Sequence, residues 1–364
     1  MDTRNTTPPP EHVRWRKVGE SVTSPYRNTQ RKEVFIDPCE CIKKFFDAAK
    51  AIAERPAPYD PTGSQQAKAM RPLRGVRRFH ADYKAYEYGK TAEAVYGDSA
   101  PAKWRIASKE ELREYGFKNP NELEIEIKDA DGSIGKSPFK AQIYVPVNER
   151  FCEPMPAVLV FKGTTMTEPK DWANNAEQAM DAESDYYRKA VRIGAKQLKQ
   201  AKKPIVVVGH SLGGGLAAAC AQAAGKDCWT FNAAGLHPNT LQKYGEKALP
   251  VNIEAYRHEG EVLTAVQEPG WAVEFAKVIV PPLAGFWYGG PLGAFAGAYS
   301  AYKLHKLPAA PGNRHSIACA NDRWDAVDRH GMANTLISFN QQLRQAEATL
   351  REQTGVQCAQ PVVV

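Results

Sequence analysis

A strand, a five-residue turn with glycine at both ends and an alanine-rich helix follow one another without interruption in this chain. Residues Ile205–Val208 are apolar and β-branched, which predicts a buried strand. The turn Gly209-His210-Ser211-Leu212-Gly213 comes next, and a helix then runs to Ala224 and is closed by Gly225. This order of strand, tight turn and helix is the most informative feature of the sequence.

The turn places one serine between two glycines, and this G-x-S-x-G arrangement is the nucleophile elbow of serine hydrolases. We expect Ser211 to have a strained backbone, which a residue other than glycine keeps only where its surroundings impose it. Gly209 and Gly213 suit this turn because strand and helix approach too closely there for a Cβ atom. The pentapeptide also arises by chance, with Ser211 then a structural residue of an ordinary turn. The flanking strand and helix favour a nucleophile.

A second apolar run, Ala157–Phe161, predicts another buried strand and leads into Lys162-Gly163-Thr164-Thr165. In acyl hydrolases, an N–H from the loop after an early strand and the N–H that follows the nucleophile together stabilise the oxyanion. Thr164 and Leu212 occupy these two positions. On its own, the second run is more typical of a strand end with glycine in a turn.

Together the two segments resemble the class 3 (fungal-type) lipase family, in which a strand is followed by F-R-G-[ST], then D-W, then G-H-S-L-G-G. This chain has FKGT at 161–164, DW at 171–172 and GHSLGG at 209–214, with Lys162 where the family usually has arginine. The resemblance extends from about Phe79 to Leu350. It implies an α/β-hydrolase fold, with a mixed, mostly parallel sheet flanked by helices. We expect neither a metal nor a cofactor.

The acid of the triad follows the serine and precedes the histidine in α/β-hydrolases. Residues 228–232, CWTFN, resemble the T-F-G-x-P strand of the family, and Val251–Tyr256 predicts the next strand. The family's acid lies just past that strand in a D-x-V-P-like turn, and Glu261, followed by Val-Leu-Thr, matches the position. Glutamate can orient an imidazole as aspartate does. Glu259 is the rival, and either residue could instead be a solvated loop carboxylate.

The base should lie in the loop before the last helix. Apolar residues recur there at helical spacing, which predicts an amphipathic helix packed on the sheet: Met332, Leu336, Phe339, Leu343, Ala346 and Leu350. His330 comes immediately before this helix, where the base is expected. His315 is the alternative, and His330 could also be a polar residue at the start of a helix. We expect His210 to point away from the nucleophile and to support the turn.

Residues 278–302 contain no charged side chain and carry glycine at every fourth position from 285 to 297. We place them in an apolar insertion at 268–306. Three interpretations remain open: a lid or acyl-chain pocket that meets a lipid surface, ordinary core packing, and a membrane span. Prolines at 281, 282 and 291 interrupt any single helix and disfavour the span.

The chain divides unevenly. Residues 1–33 are polar, basic and proline-bearing, and we expect them to be disordered. Residues 34–75 would hold a short amphipathic helix, Ile42–Ala53, and a proline-rich linker. The lipase-like domain would occupy 76–355, beginning with a helix from about Phe79 to Tyr96 and two half-buried strands near residues 123–127 and 139–145.

Composition fits a water-soluble enzyme with a net charge of +7. The basic N-terminal residues could favour an anionic lipid surface, although a solvated tail is the commoner case. The seven cysteines are scattered without metal-ligand spacing, so we expect free thiols and no zinc. The N-terminus lacks an apolar signal core, which allows retention in the cytoplasm or export by a route without a cleaved signal. We expect no nucleic-acid partner.

These patterns together favour a lipase or phospholipase that forms an acyl-enzyme on Ser211. The alternatives are an esterase or thioesterase for small soluble substrates and a catalytically inactive lipase-like protein that binds membranes or partners. The architecture also resembles bacterial lipase effectors delivered into rival cells by type VI secretion. An effector of that kind would have an immunity protein as a partner.

Overall fold

A mixed sheet lies at the centre of the computed structural model, which describes residues 38–55, 63–128, 134–163, 185–267 and 308–357. The described strands are β1 (Trp104–Ile106), β2 (Glu124–Lys128), β3 (Ile134–Pro146), β4 (Ala157–Phe161), β5 (Ile205–His210), β6 (Cys228–Phe231), β7 (Ile253–His258) and β8 (Asn313–Ile317). Every residue of β4 and β5 is buried, as their continuous apolar sequence predicts.

The strands lie in the order β1-β3-β4-β5-β6-β7-β8, with β2 beside β3. Strand β3 is antiparallel to β1, β2 and β4, whereas each neighbouring pair from β4 to β8 is parallel. The prediction of a mixed, mostly parallel α/β-hydrolase-like sheet is therefore confirmed. Because parallel strands end at the same edge, the residues that follow β4, β5, β6 and β7 come together there.

Helices cover the sheet. They are α1 (Pro38–Ala53), α2 (Ser64–Ala69), α3 (Arg71–Ala94), α4 (Lys109–Glu114), α5 (Leu212–Ala224), α6 (Thr240–Lys243), α7 (Val262–Gln267), α8 (Ala326–His330) and α9 (Met332–Thr354). A further helical segment covers residues 185–200 and ends in π and 3₁₀ turns. Helix α5 is almost wholly buried, and its alanines and glycines let it approach the sheet closely.

Two helices begin earlier than the sequence predicts. Helix α1 starts at Pro38 instead of Ile42, and α3 starts at Arg71 instead of about Phe79. Pro72 lies in the first turn of α3, where the missing N–H has no intrahelical acceptor in any case, so proline does not break the helix. Helix α9 matches the predicted amphipathic helix, with its apolar side chains at 332, 339, 343 and 350 buried.

The expectation of free thiols is wrong for two cysteines. Cys41, in α1, and Cys152, in the loop before β4, are disulfide-bonded, whereas Cys220, Cys228 and Cys319 carry free thiols. Disulfide formation depends on the distance between Cα atoms in the fold, and spacing along the sequence does not supply that distance.

Several predicted features lie outside the described residues: the N-terminal segment 1–33, Thr164, and the apolar insertion at 268–306. Within the described ranges, no helix has both the length and the apolar character that crossing a bilayer requires.

Candidate active site

Ser211 lies between β5 and α5 with φ 58° and ψ −130°, a conformation that residues other than glycine rarely adopt. Backbone hydrogen bonds hold it there. Its N–H donates to the carbonyl of Phe231 in β6 (3.1 Å), and its own carbonyl accepts from Gly214 (2.9 Å) and Ala234 (2.9 Å). The neighbouring strand and the helix therefore impose the strained turn that the sequence pattern predicts.

Close backbone contacts explain the glycines of the elbow. A Cβ atom on Gly209 would overlap the backbone of Gly213, and one on Gly213 would overlap the carbonyl of Phe161 at the end of β4. A side chain at either position would push α5 away from the sheet. Positions 209 and 213 therefore require glycine because the neighbouring backbone leaves no room for a Cβ atom.

One line of hydrogen bonds joins Ser211, His330 and Glu261. The Oγ atom of Ser211 is 2.9 Å from Nε2 of His330, and Nδ1 of His330 is 2.7 Å from Oε2 of Glu261. The three residues are 3%, 4% and 1% exposed, respectively. A serine, a histidine and a carboxylate in this order and at these distances match the arrangement that activates serine in hydrolases.

The carboxylate of Glu261 is held by the turn that follows it. Its Oε2 accepts from the N–H of Leu263 (2.8 Å), and its Oε1 accepts from the N–H and the hydroxyl of Thr264. Burial alone would raise the pKa of Glu261, but the hydrogen bond and charge of His330, with those donors, outweigh burial and lower it. Glu261 is therefore an anion at neutral pH and faces the imidazole.

Both rival residues lie in other surroundings. Glu259 is exposed. His315 lies in β8, where its Nε2 contacts the carboxylate of Glu254 and its Nδ1 is 2.7 Å from the guanidinium of Arg78. The structure therefore brings Glu261 and His330 to Ser211 and uses His315 in a polar network at the edge strand.

The end of β4 lies against the nucleophile. A Cβ atom on Gly163 would overlap the hydroxyl of Tyr96 and lie 3.1 Å from Cβ of Ser211. The next residue, Thr164, is the expected oxyanion donor and lies outside the described residues. Leu212, the other expected donor, opens α5, where the first N–H groups of a helix lack intrahelical acceptors.

Two residues beside Ser211 and His330 were not predicted from the sequence. Tyr96, two residues beyond α3, hydrogen-bonds Nδ1 of His210 through its hydroxyl (2.9 Å), and Asn232, after β6, places its side-chain amide 3.0 Å from the backbone carbonyl of His330. Asn232 carried a usable signal, because it stands where the lipase motif T-F-G-x-P has glycine. Tyr96 carried none beyond its place near the end of a predicted helix.

His210 supports the site, as the sequence analysis expects. Its Nε2 is 2.8 Å from the carbonyl of His330, while Tyr96 contacts its other ring nitrogen. Complete burial and the nearby charge of His330 lower the pKa of His210 to about 3. His210 therefore stays neutral while it donates to the backbone of the residue that contacts Ser211.

Comparison with known proteins identifies a family for the part of the chain that ends before His330. Residues 87–315 match a family described as "Phospholipase-like: Tle-like phospholipase domain", and this match includes Ser211 and Glu261. The chain is also 40% identical over 119 residues to "Extracellular phospholipase A1" of Serratia liquefaciens. That alignment spans 30% of this chain and 36% of the Serratia protein, so it covers about a third of each. With more than half of its length matched, the chain belongs to the Tle-like phospholipase domain family.

Proposed function

We propose that this protein hydrolyses carboxylic ester bonds of phospholipids through an acyl-enzyme on Ser211. The observation that carries the proposal is the buried hydrogen-bond line from Ser211 through His330 to Glu261. A serine with an unusual backbone, a histidine at hydrogen-bond distance and a buried carboxylate on the far ring nitrogen together suit nucleophilic catalysis.

In acylation, the Oγ atom of Ser211 attacks the ester carbon while Nε2 of His330 takes the hydroxyl proton. A carbon–oxygen bond to the serine forms as the C=O double bond opens, and the carbonyl oxygen of the ester becomes an oxyanion that the N–H groups of Leu212 and Thr164 stabilise. The tetrahedral intermediate then expels the alcohol, which receives the proton from His330. Glu261 stabilises the imidazolium throughout and does not itself take the proton.

In deacylation, a water molecule replaces the alcohol. His330 takes a proton from this water as its oxygen attacks the acyl carbon, and the proton then returns to Ser211 as the acyl–serine bond breaks. The products are a free fatty acid and a lysophospholipid. No co-reactant other than water is needed.

Two observations support a phospholipid substrate. The family to which the chain belongs is described by a phospholipase domain, and the aligned Serratia protein is named a phospholipase A1. The sequence of residues 278–302 adds an argument, because a long segment without charged side chains suits contact with a lipid surface better than with a small soluble ester.

Replacing the nucleophile tests the proposal. Ser211→Ala should keep the thermal unfolding midpoint near that of the wild type and reduce phospholipid hydrolysis by on the order of 10⁴-fold or more. Mass spectrometry of the products would show whether lysophospholipid and fatty acid form together. A fluorophosphonate probe should label the wild type and not this variant.

The matched control is Ser316→Ala, which removes an exposed serine on β8. It should hydrolyse phospholipid and react with the probe as the wild type does. Full phospholipid turnover by folded Ser211→Ala protein would refute the serine mechanism. Hydrolysis of short soluble esters with none of any phospholipid would instead support the esterase alternative.

A further inference from the structure

Asn232 has a backbone conformation that normally calls for glycine. It follows β6 with φ 43° and is completely buried. In the lipase motif that this strand resembles, glycine stands at the same place. Asparagine tolerates positive φ better than most residues, so the chain gains a side chain there without a large conformational cost.

The side-chain amide of Asn232 contacts residues of three elements, β7, α8 and α9. Its Oδ1 accepts from the N–H of His258 at the end of β7 (2.8 Å). Its Nδ2 lies 3.0 Å from the carbonyl of His330 and 2.9 Å from the hydroxyl of Thr335 in α9. The orientation of the amide follows from chemistry, because the backbone N–H requires the oxygen and the backbone carbonyl requires the nitrogen.

These contacts connect the two chain segments that carry the acid and the base. His258 lies three residues before Glu261, and the carbonyl that Asn232 contacts belongs to His330 itself. The backbone N–H of Asn232 also donates to the carbonyl of Tyr256 in β7 (2.9 Å). Through its side chain and its backbone N–H, Asn232 therefore connects the end of β6 to two other places: the end of β7 and the junction of α8 and α9.

The carbonyl of His330 has a second donor. Nε2 of His210, immediately before Ser211, lies 2.8 Å from the same oxygen. The side chains of His210, at the end of β5, and Asn232, after β6, thus both hydrogen-bond the backbone carbonyl of His330, while Glu261 contacts its ring. Such a double contact restricts the peptide at 330, whose position sets the distance from Nε2 to the serine oxygen.

We propose that Asn232 is a positioning residue that fixes His330 and the β7–α7 turn relative to Ser211. This inference rests on the proposed function, because the reaction is the one in which Ser211 and His330 act. Asn232 touches neither the substrate nor the serine. Its effect passes through the backbone of His330 and through the turn that carries Glu261.

Asn232→Gly is the sharpest test, because glycine keeps the positive φ at no steric cost and removes only the side chain. We expect kcat for phospholipid hydrolysis to fall by on the order of 10- to 100-fold, as small displacements of catalytic groups cause, with KM nearly unchanged. The rate of fluorophosphonate labelling should fall in parallel, since it depends on the same activated serine.

Thr230→Val is the matched control. Thr230 lies in β6, two residues before Asn232, is 1% exposed, and its hydroxyl has no hydrogen-bond partner in the described structure. Valine preserves its shape, so kcat, KM and the labelling rate should all stay within about twofold of the wild type. Assays well below the unfolding midpoints of both variants separate loss of positioning from loss of folded protein.

Asn232→Asp is the second variant and decides the matter if the glycine variant does not fold. It keeps the side-chain shape and the acceptor for His258, but it replaces the donor to His330 by a carboxylate oxygen. Its kcat should fall at least as far as that of Asn232→Gly. Wild-type kcat in either folded variant, or failure of both to fold, would overturn the positioning role. Ser211→Ala separates the two hypotheses: an inactive Ser211→Ala protein beside a fully active Asn232→Gly protein would refute this inference alone.

Discussion

His210 donates a hydrogen bond from Nε2 to the backbone carbonyl of His330 over 2.8 Å, and the centres of the two rings lie 5.0 Å apart. Since Nε2 of neutral His210 carries the hydrogen, its Nδ1 accepts from the hydroxyl of Tyr96. Two charged imidazoles this close would repel each other. The two histidines therefore have different surroundings: the ring of His330 contacts Ser211, and buried His210 stays neutral and holds the backbone.

The buried histidines predict how stability depends on pH. Burial, with the charge of His330, lowers the pKa of His210 to about 3, and burial, with the charge of Arg329, lowers that of His258 to about 4. In the unfolded chain both take up protons below about pH 6.5. Above this pH the two histidines should therefore not change the free energy of unfolding. As the pH falls from 6.5 to 5, each histidine should lower the free energy of unfolding by about 2 kcal/mol.

Urea unfolding at several pH values from 8 to 5 would measure this dependence. His258→Gln should reduce the loss of stability between pH 6.5 and 5, whereas exposed His237→Gln should leave it unchanged. The lowered pKa of Glu261 contributes only below its ordinary range near 4.5, so it does not interfere with this window. A wild-type unfolding free energy that stays flat down to pH 5 would contradict the prediction.

The contacts of the two candidate bases predict opposite outcomes of their replacement. His330→Ala should reduce phospholipid hydrolysis nearly as much as Ser211→Ala does, because nucleophile and base act as one unit. His315→Ala should keep nearly all of the activity and lower the unfolding midpoint instead, since its ring contacts Glu254 and Arg78. Steady-state kinetics and thermal unfolding of both variants check this pair. Loss of activity in His315→Ala with full activity in His330→Ala would reverse the assignment.

The two glutamates offer a similar comparison. Glu261→Gln should reduce kcat by on the order of 10²- to 10⁴-fold, less than the loss of His330, because the acid orients and stabilises the imidazole without reacting. Exposed Glu259→Gln should keep kcat within about twofold of the wild type. Kinetics at neutral pH with one phospholipid would show the difference. Equal losses in the two variants would mean that the charge of the loop matters, and not the contact with His330.

Much of the fold was predictable because its signals are local. The apolar run before Ser211, the glycines around it and the spacing of apolar residues in α9 each depend on neighbours in the sequence. The order of the triad in α/β-hydrolases and the resemblance to the lipase family also pointed to Glu261 after β7 and His330 before α9, with Glu259 and His315 left as alternatives. Their roles in catalysis stay predictions.

Contacts between distant segments were not predictable in the same way. The bond from Asn232 to His330 joins residues 98 positions apart, and that from Tyr96 to His210 joins residues 114 apart. An asparagine after a strand and a tyrosine after a helix carry no periodic signal for such partners. Nor does the spacing of the cysteines along the chain show that Cys41 and Cys152 are disulfide-bonded.

The uncharged residues 278–302 predict a preference for assembled lipid. Apolar side chains that leave water at a bilayer gain roughly 25 cal/mol per Å² of buried area, and basic residues near the N-terminus would add attraction to anionic headgroups. Phe286→Asp and Phe295→Asp should therefore weaken binding to anionic vesicles and slow their hydrolysis, while turnover of a short monomeric ester stays unchanged. Ile337→Asp, which adds the same charge at an exposed apolar residue of α9, is the control and should affect neither substrate. Equal losses on vesicles and on the soluble ester would show that the two phenylalanines belong to the core, and unchanged vesicle hydrolysis would show that they do not contact lipid.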